Sequence, residues 1–342
     1  MKKLLVASLV FVIILNSCKS PKSEFIGVEN LKLVFYNVEN LFDTIDDPNK
    51  KDESYLPSSR IAWNTERYLH KLDNLSKVLS SIDSLDMPQI IGLSEVENRK
   101  VLEDLVSHPK LINSDYKIIH KESPDERGID VALLFRSNSF KPIKTEYIEI
   151  NFPFDKNDHT RDILYVTALI SKKDTIHVFV NHWSSRWGGQ EKSEPKRIFI
   201  AKTLKEKADQ LFKINAKANI VIMGDLNDNP DDISISHYLL ADSVLNFNEK
   251  TLTNLSFRRY SKGEGTLYYK SWDLFDQIIV SSNLLDKDYS WEIVNNDIEI
   301  FKPDWILFHP NEGDARPNRT SAGSYYGGYS DHLPVYINLS KK

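Results

Sequence analysis

Residues 219–230 read NIVIMGDLNDNP: a short apolar run, a glycine, then an abrupt change to Asp225, Asn227, Asp228 and Asn229 before Pro230. Ile, Val and Met bounded by Asn, Gly and Pro signal a strand. The polar tail alone reads as an Asx-rich turn, since Asp, Asn and Pro each favour one. Its meaning comes from repetition. Further strand candidates are 31–36 (LKLVFY), 89–94 (QIIGLS), 116–120 (YKIIH), 130–135 (DVALLF), 163–170 (ILYVTALI), 175–180 (TIHVFV), 275–280 (FDQIIV) and 334–338 (PVYIN).

Most of these runs carry polar residues of metal-binding or phosphate-binding type at one end. Asn37 follows LVFY, Glu95 follows IIGLS, and Asn181-His182 follow HVFV. Asp276 lies at the start of DQIIV, and Asp331-His332 immediately precede LPVYI. Strand ends are where a rigid sheet presents side chains to a common cleft with little positional slack. Carboxylates, amides and imidazoles gathered in this way suit a hard divalent cation and a phosphate ester. Magnesium takes oxygen ligands and keeps several waters, so Glu95 and Asp331, with Asn37 nearby, are a sufficient set. A phosphate ester resists attack because its anionic oxygens repel nucleophiles and its alkoxide leaves poorly. Cations and histidines relieve both problems, and a carboxylate that is not a ligand can orient and deprotonate water.

Between the strands lie helical patterns at 66–82, 98–107 and 194–213. The first places Leu69, Leu72, Leu75, Val78, Leu79 and Ile82 at helical spacing. Neither strict βα alternation nor an all-β sandwich fits this order, which leaves a layered α/β arrangement of two sheets with helices outside. The 342 residues are 41% hydrophobic and 27% charged, the balance of an ordinary globular protein. A net charge of −5 disfavours a protein held on nucleic acid mainly by counterion release, so a polyanion would be met as substrate. The single cysteine excludes an internal disulfide framework and a multi-thiolate zinc site.

That cysteine lies in MKKLLVASLVFVIILNSC, where Lys2 and Lys3 precede an apolar run from Leu4 to Leu15. The pattern is a secretory signal, and Leu15-Asn16-Ser17-Cys18 resembles a bacterial lipobox. The expected organisation is a signal peptide over 1–17, a lipidated Cys18, a tether over 18–28 and one domain over 29–342. The expected location is the cell envelope, with the membrane reached through the lipid anchor. No obligate protein partner is expected.

The motifs FYNVEN (35–40), IGLSEVEN (91–98), GIDVALLFR (128–136), NHWSSRWGG (181–189), VIMGDLNDNP (221–230), FDQIIVS (275–281) and YSDHLPVYI (329–337) occur in the order of a known group. The chain resembles the endonuclease/exonuclease/phosphatase superfamily, which includes DNase I-like nucleases, inositol polyphosphate 5-phosphatases and bacterial sphingomyelinases. The resemblance implies a four-layer α/β/β/α sandwich with the site at one edge of both sheets. It implies that Asn37, Glu95 and Asp331 bind Mg2+, with Mn2+ or Ca2+ as alternatives. Asp225 would align and activate water, and Asn227 would hold a phosphate oxygen or the nucleophile. His332, oriented by Asp276, and His182 would bond the scissile phosphate, with His182 assisting the leaving oxygen.

The function expected is a secreted, metal-dependent phosphodiesterase of nuclease type, its substrate a phosphate ester and most simply nucleic acid. A phosphomonoesterase or sphingomyelinase-like enzyme is the alternative. A binding lipoprotein that has lost catalysis is a second alternative, one that predicts erosion of the metal and histidine positions. Arg161 and Arg186 are substrate-binding candidates, the latter in a loop whose Trp183 and Trp187 could stack on a ring. Asp130 is a candidate partner for His182. The long polar segment 42–65 suits a lid, a substrate wall or a surface excursion. Segment 258–272 interleaves basic and aromatic residues that suit a stacked, anionic ligand. His159, His177, His237 and His309 are assigned to surface or packing roles.

Overall fold

The computed structural model describes Phe25, residues 27–83 and residues 85–342; the signal segment and Cys18 lie outside the described residues. Strand β1 (Asn30–Leu41) shows why its sequence does not alternate between apolar and polar: it is buried on both faces. Leu31, Leu33 and Phe35 enter the core between two sheets, whereas Val34, Tyr36 and Val38 face a helical layer. Helix α1 (Thr65–Ile82) supplies that layer, with Asn64 accepting from the Arg67 N–H at 3.0 Å as its N-cap. Its buried stripe is Tyr68, Leu72, Leu75, Val78, Leu79 and Ile82. Leu69 was expected on this stripe but is exposed, one step past the edge of the buried face.

Strand β2 (Ile90–Val96) follows, parallel to β1, and α2 (Arg99–Val106) is capped by Asn98, which accepts from the Val101 N–H at 3.0 Å. Strands β3 (Tyr116–His120) and β4 (Asp130–Arg136) extend this sheet antiparallel. The second sheet holds β5 (Lys141–Ile148), β6 (Ile163–Leu169), β7 (Thr175–His182), β8 (Ile220–Asp225) and β9 (Asp276–Ser281) in that order, then two short strands. Strand β10 (Val335–Lys341) returns to the first sheet beside β1. β5 escaped the sequence reading because it is an edge strand whose side chains are largely exposed and charged.

Helix α3 (Gln190–Ile214) covers the outer face of the second sheet through Ile200, Ala201, Leu204, Ala208, Leu211 and Phe212. It begins four residues before the expected 194, because Pro195, which suits a first turn, sits inside a helix started at Gly189 and steadied by Ser193 Oγ donating to the Gly189 carbonyl at 2.9 Å. Helix, sheet, sheet, helix is thus the observed order of layers.

Both sheets share one plan. Each contains one parallel pair joined by a helix, β1–α1–β2 in one and β7–α3–β8 in the other, with antiparallel strands beside it. The carboxyl ends of these four strands therefore meet the amino ends of β9 and β10 at one edge. In the second sheet His182 pairs with Asp225, and Asp225 with Asp276, so the three form a row across β7, β8 and β9.

Candidate active site

The first sheet contributes through distorted backbone. Asn37 pairs with Ser94, then the register breaks and Leu41 pairs with Val96. Glu95 stands in this bulge at φ 62°, a conformation that aims its carboxylate out of the sheet. Glu95 Oε2 accepts from the Asn40 N–H at 3.0 Å, and Oε1 faces His182 Nε2 at 3.8 Å. Asn37 is fully buried; its Nδ2 donates to Asp225 Oδ2 at 3.0 Å, and its carbonyl accepts from Ser330 Oγ at 2.7 Å. One side-chain bond thus ties the two sheets together at the site.

Asp225 is the hub. Its Oδ1 accepts from the Asn227 N–H at 3.0 Å, and its Oδ2 lies 3.6 Å from His182 Nε2 and 3.9 Å from His332 Nε2. Burial, against the pull of the His332 cation and aided by Asp276, pushes its carboxyl up to about 6. Asp276 is fully buried, and its Oδ2 contacts His332 Nδ1 at 2.7 Å. Burial alone would lower the His332 imidazole, but the Asp276 carboxylate outweighs it and holds His332 well above the usual histidine range. His182 goes the other way. Burial, then the Arg161 and Arg127 guanidiniums, drive it well below that range, so it is neutral. Two imidazoles around one carboxylate are therefore held in opposite charge states.

Asp331 sits at the rim, Oδ1 4.0 Å from His332 Nε2 and Oδ2 accepting from Arg319 Nη2 at 2.9 Å. Asn227, at φ 51°, donates from Nδ2 to the Trp183 carbonyl at 3.1 Å. All eight metal-binding and catalytic candidates lie at this edge. The two arginines differ from expectation. Arg161 is buried, its Nη1 donating to Asp125 at 3.0 Å, its Nε to the His182 carbonyl at 3.1 Å and its Nη2 to the Trp183 carbonyl. Arg186 donates to the Asn227 carbonyl at 2.8 Å, to Asp228 at 3.1 Å, and to Asp232 and Gln190, over the Phe275 ring. Neither is a free phosphate clamp; each holds the backbone beside a site residue. Trp183 is buried in the core as well. Asp130 serves His120 Nε2 at 3.0 Å and the Ser123 N–H at 2.7 Å, not His182. Segment 42–65 is anchored by Phe42, Asp52, Ile61 and Trp63, which are buried, with Trp63 donating to the Phe42 carbonyl at 3.0 Å, while Ile45 is exposed.

The sequence reading missed three groups. Arg319 joins Asp331 to Glu39, a buried acid that burial and then Asp331 raise to about 7. Ser330 bonds both the Asn37 carbonyl and the His332 N–H. Arg127, half exposed and paired to Asp125, acts on His182 and Glu95. Glu39 was visible inside FYNVEN, but neither arginine stands at a strand end. A cavity of about 240 Å³ adjoins the cluster beneath segment 42–52, lined by Asp43, Asp52, Glu97 and Glu122. Burial raises two of these acids, Glu97 to about 8 and Glu122 to about 7, and Lys50 lines the same cavity.

A profile of the endonuclease/exonuclease/phosphatase family matches residues 32–341. The chain belongs to that family. No curated protein sequence matches it. Solved structures with the same fold include truncated Caenorhabditis elegans TDP2 (15% identity, TM-score 0.55, 91% of this chain and 98% of that one). The human Nocturnin catalytic domain with bound sulfate has 16% identity and a TM-score of 0.55, covering 93% and 97%. An endonuclease/exonuclease/phosphatase family protein of Bacteroides thetaiotaomicron has 14% identity and a TM-score of 0.55, covering 92% and 95%.

Members of the endonuclease/exonuclease/phosphatase family are phosphoric ester hydrolases that use divalent metal ions, and the donors here fit one. Among the described residues Glu95 Oε1 and Asp331 Oδ1 accept no hydrogen bond, and the Asn37 side-chain oxygen, which accepts from the Glu39 N–H at 3.0 Å, keeps a second lone pair: a hard, all-oxygen set. Asp225, Asp276 and His332 also approach one another within 4.8 Å. In this second group, which could also hold an ion, both His332 nitrogens face carboxylates.

Proposed function

We propose that the chain is a Mg2+-dependent phosphodiesterase of nuclease type. The observation that carries this reading is the placement of Asp225 Oδ2 among Asn37 Nδ2, His182 Nε2 and His332 Nε2, at 3.0, 3.6 and 3.9 Å, with Glu95 facing His182. A cation held by Glu95, Asp331 and Asn37 would supply positive charge against that developing on the phosphoryl oxygens. Asp225, with a carboxyl near 6, suits a base at neutral pH: it takes a proton from water as the new P–O bond forms. Neutral His182 donates a hydrogen bond from Nε2 to a non-bridging oxygen. His332, kept cationic by Asp276, gives its Nε2 proton to the departing oxygen as the old P–O bond breaks. This reverses the expected assignment of the leaving group to His182, because the two burial and charge environments favour His332 as the acid.

A nucleic-acid substrate is supported by the structure of Danio rerio TDP2 with a single-strand DNA product, a protein 14% identical with a TM-score of 0.55. The reading extends to an envelope enzyme anchored through Cys18, supported by Lys2, Lys3 and the apolar run before it. Hydrolysis of bis-p-nitrophenyl phosphate against p-nitrophenyl phosphate, with Mg2+, Mn2+ or Ca2+ and with EDTA, tests the chemistry. Expected is metal-dependent turnover of the diester that His332→Ala lowers by about 10²–10⁴-fold. Preference for the monoester would replace the reading with a phosphatase; plasmid DNA, RNA and sphingomyelin then separate the diesterases. Partition of the Cys18→Ala protein into the aqueous phase of a detergent extract, with wild type in the detergent phase, checks the anchor.

A further inference from the structure

Trp187 is 91% exposed, an unusual state for the largest apolar side chain. Its surroundings are not loose. Arg186, the preceding residue, is held by the Asn227 carbonyl, Asp228, Asp232 and Gln190 and lies over Phe275 at 4.6 Å. On the other side the Gly189 N–H closes a turn onto the Arg186 carbonyl at 2.9 Å, and α3 begins. Gly188 and Gly189 sit at φ 82° and 115° with open space around them, so the backbone turns there without covering the indole. The loop springs from His182 at the end of β7, and its anchors, Asn227 and Phe275, adjoin Asp225 and Asp276. A rigid mount beneath a bare aromatic ring at the rim of a catalytic cluster is the arrangement of a stacking platform.

We infer that Trp187 forms a subsite that stacks a planar ring of the substrate, a nucleobase, next to the scissile phosphate. The inference rests on the phosphodiesterase reading and deepens it by naming what the enzyme recognises beyond phosphorus. Stacking tolerates any base, so the subsite selects nucleotides over alkyl phosphodiesters without selecting sequence.

Two substrates with one leaving group test this: thymidine 5′-(p-nitrophenyl phosphate) and methyl p-nitrophenyl phosphate. Trp187→Ala should lower kcat/KM on the first by about 5- to 100-fold, mainly through KM, and on the second by less than about 3-fold, while Trp187→Phe retains the preference. A measurement independent of turnover accompanies it: binding of fluorescein-labelled oligothymidylate in EDTA, expected about tenfold weaker in Trp187→Ala. If wild type hydrolyses neither ester, the catalytic reading fails and the oligothymidylate result still decides the stacking. Equal oligothymidylate affinity in the two proteins overturns the inference. So does loss of both esters alike, or a blue-shifted Trp187 emission on phosphatidylcholine vesicles with no effect on oligothymidylate, which would make the indole a lipid contact.

Discussion

Asp276 decides more than its own position. Its carboxylate keeps His332 cationic and adds to the burial that raises Asp225, so one buried acid acts on both groups that move a proton. Activity should rise as pH climbs through about 6, where Asp225 ionises, and fall again where His332 loses its proton. Asp276→Asn removes the charge that opposes the burial of the His332 imidazolium. The alkaline limb of kcat/KM should then move to lower pH by a unit or more, with a loss of about 10²–10³-fold at neutral pH. A pH–rate profile of the variant checks this; an unmoved alkaline limb would mean that another group reports there. His182 lacks such a carboxylate at Nδ1, which is why the same residue type at the end of β7 carries no charge.

At the scale of the element, the site depends on how closely β7 approaches β8. Gly224 pairs with Asn181, and a Cβ at 224 would lie 2.5 Å from the Asn181 carbonyl oxygen and 2.6 Å from its Cβ. Nothing there is a flexible side-chain tip that could swing aside. Gly224→Ala should therefore part the two strands where His182 faces Asp225, costing about 1–3 kcal/mol of stability and lowering kcat more than it raises KM. Thermal unfolding and steady-state kinetics on one preparation check both effects. The glycine of VIMGD is thus a contact requirement, visible in the sequence only as a break between a strand and its acid.

For the whole molecule, charge frames what kind of nuclease this is. The net charge is −5, and Arg127, Arg161, Arg186 and Arg319, guanidiniums near the cluster, are each paired with a carboxylate. These four are not free to displace counterions from a polynucleotide at the site. Affinity for DNA should fall by no more than about tenfold between 50 and 200 mM salt, against the ~10³–10⁵ of a protein making six to ten phosphate contacts. Salt titration of oligothymidylate binding measures this, and a steep slope would reveal a basic face that the pairings conceal.

Most of the strands, the three long helical patterns and the polar residues at strand ends were legible in the amino-acid order. They depend on local matters: a side chain's preference for a pleated surface, or the spacing of apolar residues along one helix face. With the family motifs, that was enough to anticipate two sheets between helices and an edge where Asn37, Glu95, Asp225 and His332 assemble. What Arg161, Arg186 and Asp130 do was decided only by tertiary structure, because a long or charged side chain settles on whichever buried partner the fold brings near. Spacing along the chain does not encode that choice. The different charge states of His182, neutral, and His332, cationic, have the same origin: burial is common to both, and the carboxylate that separates them comes from a strand fifty-six residues away in sequence.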